Sequence, residues 1–87
     1  MSETNENRKN LGELLPPEIT GAPVISISGR REITVDGFRG IEEYTEDSVT
    51  FKAGKTVISV GGNDLIIRFM SLHTIVIAGY IIKIEFL

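Results

Sequence analysis

The single histidine of this chain is the first residue to test for chemistry, because histidine can act as a general base or bind a metal. His73 stands in the stretch Ser71-Leu72-His73-Thr74, between two apolar runs that read as strands. A general base needs an orienting partner and a nearby nucleophile, and a metal site needs three or four ligands. The sequence supplies neither near His73, so we interpret it as a surface residue in a turn.

Four carboxylates, Glu42, Glu43, Glu46 and Asp47, form the densest cluster of charge in the chain. The segment E-E-Y-T-E-D has neither the alternate ligand spacing nor the glycine at the tight bend of a calcium loop. Two carboxylates could also flank a glycosidic bond, but nothing around them indicates an aromatic sugar-binding cleft. We predict a solvated turn between strands, with an acidic contact surface for a partner as the alternative.

A glycine-rich segment, Gly61-Gly62-Asn63-Asp64, has the small residues of a phosphate-binding loop. It lacks the lysine, the serine or threonine and the following helix with which such loops hold phosphate. Glycine and asparagine also supply the positive φ angles of hairpin turns. We therefore predict that this segment is a hairpin turn.

Two adjacent arginines, Arg30 and Arg31, follow Gly29 at the tip of a predicted hairpin. Their guanidinium groups could clamp a small anion, although the solubility of a turn is the simpler explanation. The sequence thus predicts no catalytic residue, no metal site and no cofactor, and we expect no enzymatic activity. A β-module that binds a small anionic ligand at Arg30 and Arg31 is the alternative function.

The composition is that of a small acidic chain, with 87 residues, a formal net charge of −3 and no cysteine. The negative charge argues against binding to a nucleic-acid backbone. The polar N-terminus lacks the apolar core of a signal peptide, and no apolar run reaches the ~20 residues of a membrane-spanning helix. We expect a cytoplasmic protein without a membrane span. A domain this small gains stability from association, so we also expect a homo-oligomer.

Residues 1–22 are predicted to form a disordered N-terminal arm, because the first ten residues are polar and have almost nothing to bury. Leu11, Leu14 and Leu15 fall at helical spacing, but Pro16-Pro17 ends any helix after about one turn. The alternative is a short docking motif for another protein, with the three leucines in contact.

Residues 23–87 are predicted to form a single all-β domain, because apolar and polar residues alternate with period two in short runs. Val24 to Val35 reads as a hairpin with its turn at Gly29, and a similar pattern recurs from Thr56 to Ile67 and, more loosely, around Gly79. The spacing between these repeats is not constant. We therefore predict a small antiparallel β-sandwich or a rolled β-meander of hairpins, with a short β-solenoid-like stack as the alternative.

The run from Leu65 to Met70 is apolar on both sides, which is typical of a strand that is covered on both faces or presents one face to a partner. Val76 gives the next strand the same character. The predicted partner interface comprises Ile66, Met70, Val76, Leu11, Leu14 and Leu15.

The last run of the chain, from Ile82 to Phe86, places Lys83 and Glu85 on one side and apolar residues on the other. This alternation predicts a strand with one face in water. If the strand lies at the edge of a sheet, its free N–H and C=O groups can pair with another chain.

Four segments carry a family resemblance over about residues 15–87: L-P-P-E-I-T-G-A-P-V-I-S-I-S-G, I-T-V-D-G-F-R-G-I-E-E-Y-T-E-D-S-V-T-F, G-N-D-L-I-I-R-F-M and I-V-I-A-G-Y-I-I-K-I-E-F-L. Their order resembles the YabP/YqfC family of sporulation proteins. The Leu-Pro element and the closing I-x-x-I-x-F-L resemble the YqfC branch more closely. Where relatives carry E-N-H, this chain has Val35-Asp36-Gly37-Phe38 before Arg39-Gly40-Ile41, so no role passes to a histidine there.

The resemblance implies a small protein of endospore-forming bacteria that is made in the mother cell and acts in spore formation without known enzymatic activity. It also implies a membrane-associated sporulation protein as partner, because family members are often encoded beside one. We therefore expect a structural interaction module that self-associates, binds this partner and is recruited to the membrane surrounding the forespore. The family supplies no catalytic residues to carry over.

Overall fold

The computed structural model describes residues 22–87, which form six β-strands and no helix. The strands are β1 (Val24–Ser28), β2 (Glu32–Asp36), β3 (Phe38–Tyr44), β4 (Ser48–Ala53), β5 (Thr56–Met70) and β6 (Thr74–Phe86). The all-β prediction is confirmed. The predicted arm, with Leu11, Leu14 and Leu15, lies outside the described residues except for Ala22.

All six strands belong to one open antiparallel sheet with the order β1-β2-β6-β5-β4-β3. From β3 to β6, each strand pairs with the next one along the chain, which is a meander. The β1–β2 hairpin attaches to this meander through pairing of β2 with β6. Every pairing is antiparallel, so the sheet is not a solenoid-like stack.

The β1–β2 hairpin forms where the period-two pattern predicts it. Arg31 N donates to Ser28 O at 3.2 Å, and Gly29 between them has a φ of 57° that suits glycine. The side chains of Ile33 and Val35 are fully buried, as their alternation with polar residues predicts.

Strands β5 and β6 are longer than their sequences indicate. The predicted hairpin turn at Gly61-Gly62-Asn63-Asp64 is wrong, because these residues continue β5 opposite β6, and Gly79 likewise lies inside β6. The register shifts three times along this pair, and each shift is a bulge or irregularity that bends the strands. Asp64 and Gly79 have φ angles of 55° and 136°, so they mark the bend.

The hydrophobic core is a single cluster on one face of this bent sheet. Its buried members are Ile33, Val35, Phe38, Val49, Phe51, Ala53, Ile58, Val60, Leu65, Ile75, Ile77 and Ile81. No second layer of helix or sheet covers this face within residues 22–87, so we infer that the sheet curls around it. Two backbone hydrogen bonds stabilise the curled sheet. Leu65 N donates to Glu46 O at 2.8 Å, and Gly62 N donates to Asp47 O at 3.0 Å.

Candidate protein-binding surface

Apolar side chains also lie on the opposite, solvent-facing side of β5 and β6. Ile66 lies opposite Ala78 and Phe69 lies opposite Val76, so these four side chains share one face. Ile66 and Phe69 are 53% and 55% exposed, and Val76 is half-buried between neighbouring strands. We call Ile66, Phe69 and Val76 the outer strip.

The outer strip differs from the predicted interface at one position. The register shifts between Ile67 and Phe69, so Phe69 pairs with Val76 and Met70 pairs with the buried Ile75. The structure therefore brings Ile66 and Val76 together as the sequence indicates, but it places Phe69 beside them and turns Met70 toward the core face. Met70 is 52% exposed there, because it ends β5. The β-bulge that exchanges the two side chains has no signature in the sequence.

Polar groups border the outer strip. The guanidinium of Arg68 donates a hydrogen bond to the carboxylate of Glu32, which lies beside Ala78 in the neighbouring strand. Two rows along the same face, Thr74 Oγ1 donates to Asp36 Oδ1 at 2.8 Å. An apolar centre with a polar border is the usual composition of a protein–protein interface.

The candidate anion contact lies at the β1–β2 turn. Arg30 Nη1 donates to the Tyr80 hydroxyl at 3.2 Å, and the guanidinium carbon lies 5.9 Å from the centre of the Tyr80 ring. This geometry is a cation–π contact, so Tyr80 holds the Arg30 side chain against β6. Arg31 is exposed in the same turn. Binding of an anion by Arg30 and Arg31 stays a prediction.

His73 and the acidic side chains lie in different parts of the sheet surface. His73 is exposed in the β5–β6 connection, where its backbone carbonyl accepts from Gly37 N and Phe38 N at 2.8 and 3.0 Å. Of the four acidic residues predicted to form a solvated turn, Glu46 and Asp47 are exposed between β3 and β4, whereas Glu42 and Glu43 are exposed within β3. Across residues 22–87, no group of three or more histidine or acidic side chains could hold a metal ion.

The fold and surface define the class of this protein as a small one-sheet all-β domain with an exposed apolar strip. The chain belongs to the YabP family, whose family model matches residues 20–87. Membership of this family suggests a role related to sporulation.

A search of curated proteins and a search of solved structures both found no match. The described residues contain no helix with the length and hydropathy needed to cross a membrane.

Proposed function

We propose that this protein is a non-enzymatic sporulation protein that acts as a structural interaction module during endospore formation. It self-associates, and it binds a membrane-associated partner through the outer strip. The exposure of Ile66 and Phe69 within a polar border is the observation that carries the proposal. Burial of a large apolar side chain is worth about 1.5–3 kcal/mol, so two half-exposed side chains leave a similar amount for a partner to recover.

Family membership supports the role in spore formation, since the family match covers most of the chain. Within the family we place the protein nearer to the YqfC branch, on the Leu-Pro element and the closing I-x-x-I-x-F-L. The proposed location is the mother-cell cytoplasm, where the membrane-associated partner recruits the protein to the membrane around the forespore. The arm with Leu11, Leu14 and Leu15 provides a second contact in this proposal.

The location of a fluorescent fusion tests this function directly. We expect the full chain, followed through starvation in its native organism, to be restricted to the mother cell and to gather at the forespore envelope. This outcome follows because recruitment by a membrane protein concentrates a binding module at that membrane. A diffuse signal in growing, non-sporulating cells would contradict the proposal.

A charge in the outer strip tests the surface that we assign. We expect the Ile66→Asp fusion to lose its envelope signal, because an unpaired carboxylate in an apolar contact weakens binding by at least about tenfold. Leu72→Asp is the matched control, since Leu72 is 85% exposed in the β5–β6 connection outside the strip. Circular dichroism of both purified variants checks that they fold. If the folded Ile66→Asp variant still gathers at the envelope, the partner binds elsewhere.

A further inference from the structure

The C-terminal half of β6 is an edge of the sheet, although its N-terminal half is central. The pairing of β2 with β6 ends at Ala78, and the carbonyls of Arg31 and Arg30 then accept from Gly79 N and Ile81 N at 3.0 and 2.7 Å. Beyond that point, residues 83–86 pair with β5 alone among the strands that the structure describes. One side of this segment is therefore open along its backbone.

The free backbone groups of this edge can be assigned from one hydrogen bond. Leu87 N donates to Val57 O at 2.8 Å, so the backbone of Leu87 faces β5. Backbone groups alternate direction along a strand, which turns the N–H and C=O groups of Ile84 and Phe86 away from β5. The register shift between Ile81 and Lys83 interrupts this alternation at Ile82. Unpaired groups of this kind are a template for another strand.

Apolar and charged side chains alternate along the sequence of the edge. Ile82 and Phe86 are 56% and 62% exposed, while Ile84 between them packs against the core. Lys83 Nζ lies 3.6 Å from Glu85 Oε1, and both side chains are more than half exposed. The edge therefore carries one cation and one anion between apolar side chains.

We propose that the edge of β6 pairs antiparallel with the same edge of a second copy, on a two-fold axis at Ile84. The inference rests on the self-association included in the proposed function and assigns it to a surface separate from the outer strip. In this register Ile82 lies opposite Phe86 of the second copy, and Lys83 lies opposite its Glu85. The symmetry repeats both pairings, so the interface closes after two copies.

The backbone and the charges both fit this register. Ile84 and Phe86 carry the free groups, and the two copies of Ile84 oppose each other as a hydrogen-bonded pair of an antiparallel ladder. Lys83 and Glu85 then form the non-hydrogen-bonded pairs, whose side chains approach more closely. The pattern apolar–cation–apolar–anion–apolar is complementary to itself when it is reversed. A second copy of the chain therefore fits this edge in charge, and we assign the edge to a second copy for this reason.

Charge reversal at the edge tests this pairing, with sedimentation of the full chain as the measurement. Lys83→Glu places two glutamates opposite two glutamates, and Glu85→Lys places lysines opposite lysines. We expect each variant alone to dissociate, with a dimer Kd raised about tenfold or more. An equimolar mixture of the two is expected to form a heterodimer, because opposite charges face each other again in that pair. Rescue on mixing also separates this effect from misfolding, since misfolded chains would not recover.

Lys52→Glu is the matched control, because Lys52 forms a similar exposed ion pair, 3.7 Å from Glu42, on β4 and away from the edge. We expect this variant to dimerise like the unaltered chain. A dimer that survives both Lys83→Glu and Glu85→Lys would overturn the assignment to β6 and leave self-association intact. A chain that stays monomeric up to about 1 mM, near the limit of weak association, would overturn self-association as a whole. Neither result alters the test of partner binding by Ile66→Asp.

Discussion

The variant Gly79→Ala is expected to lose about 3 kcal/mol or more of its free energy of unfolding. Gly79 has a φ of 136°, a region that other residues rarely adopt. A Cβ at this position would also lie 2.6 Å from the backbone oxygen of Asp64 and 3.0 Å from Leu65 Cα, so the two longest strands would have to separate. A domain of this size has a total stability of only about 3–10 kcal/mol. Urea unfolding followed by circular dichroism measures the loss.

Gly40→Ala is the control for this prediction. Gly40 lies in β3 with an ordinary φ, and a Cβ there would meet nothing within 4 Å. We expect this change to be neutral or to stabilise by up to about 1 kcal/mol, because alanine restricts the unfolded chain. Equal stability of the Gly79→Ala variant and the unaltered chain would show that β5 and β6 do not approach as closely as described.

A second large effect is expected for Phe51→Ala, which should cost about 3–5 kcal/mol of unfolding free energy. Phe51 is fully buried in β4, and its ring centre lies 6.1 Å from that of Phe38 on the neighbouring strand. Truncation leaves a cavity between these strands and the core that the sheet cannot fill. The midpoint of urea unfolding should fall accordingly, with the slope unchanged.

Phe69→Ala is the matched control, because it removes the same side chain from the outer strip. With Phe69 55% exposed, we expect a loss of less than about 1 kcal/mol. A loss as large as that of Phe51→Ala would mean that Phe69 belongs to the domain's own packing, and it would remove Phe69 from the surface proposed for the partner.

The two proposed surfaces occupy different parts of the sheet and can act together. The outer strip lies on the solvent-facing side of β5 and β6, and the pairing edge lies at residues 82–86. A dimer built at this edge carries two outer strips. Two weak contacts with a membrane-associated partner would then act as one stronger contact, because the second binding event becomes intramolecular. Loss of the dimer should therefore weaken recruitment without abolishing the individual contact.

The candidate surface was predictable from sequence only in part. A strand with apolar residues on both sides indicates that one of its faces binds a partner. This pattern placed Ile66 and Val76 in the predicted interface. The same pattern led to Met70 in place of Phe69, because strict alternation assigns Phe69 to the core face. The bulge after Ile67 reverses that assignment, and a bulge is decided by the pairing with β6.

The sequence by itself determined the all-β class, the β1–β2 hairpin and the burial of Ile33 and Val35, because these follow from local period-two alternation and a turn glycine. Only the tertiary structure decided that Gly62 and Gly79 lie within continuous strands. A Cβ on Gly62 would lie 2.0 Å from the Tyr80 backbone oxygen, so this glycine permits a close approach of two strands and does not form a turn. Glycine serves both purposes, and the partner backbone that distinguishes them lies far away in the sequence.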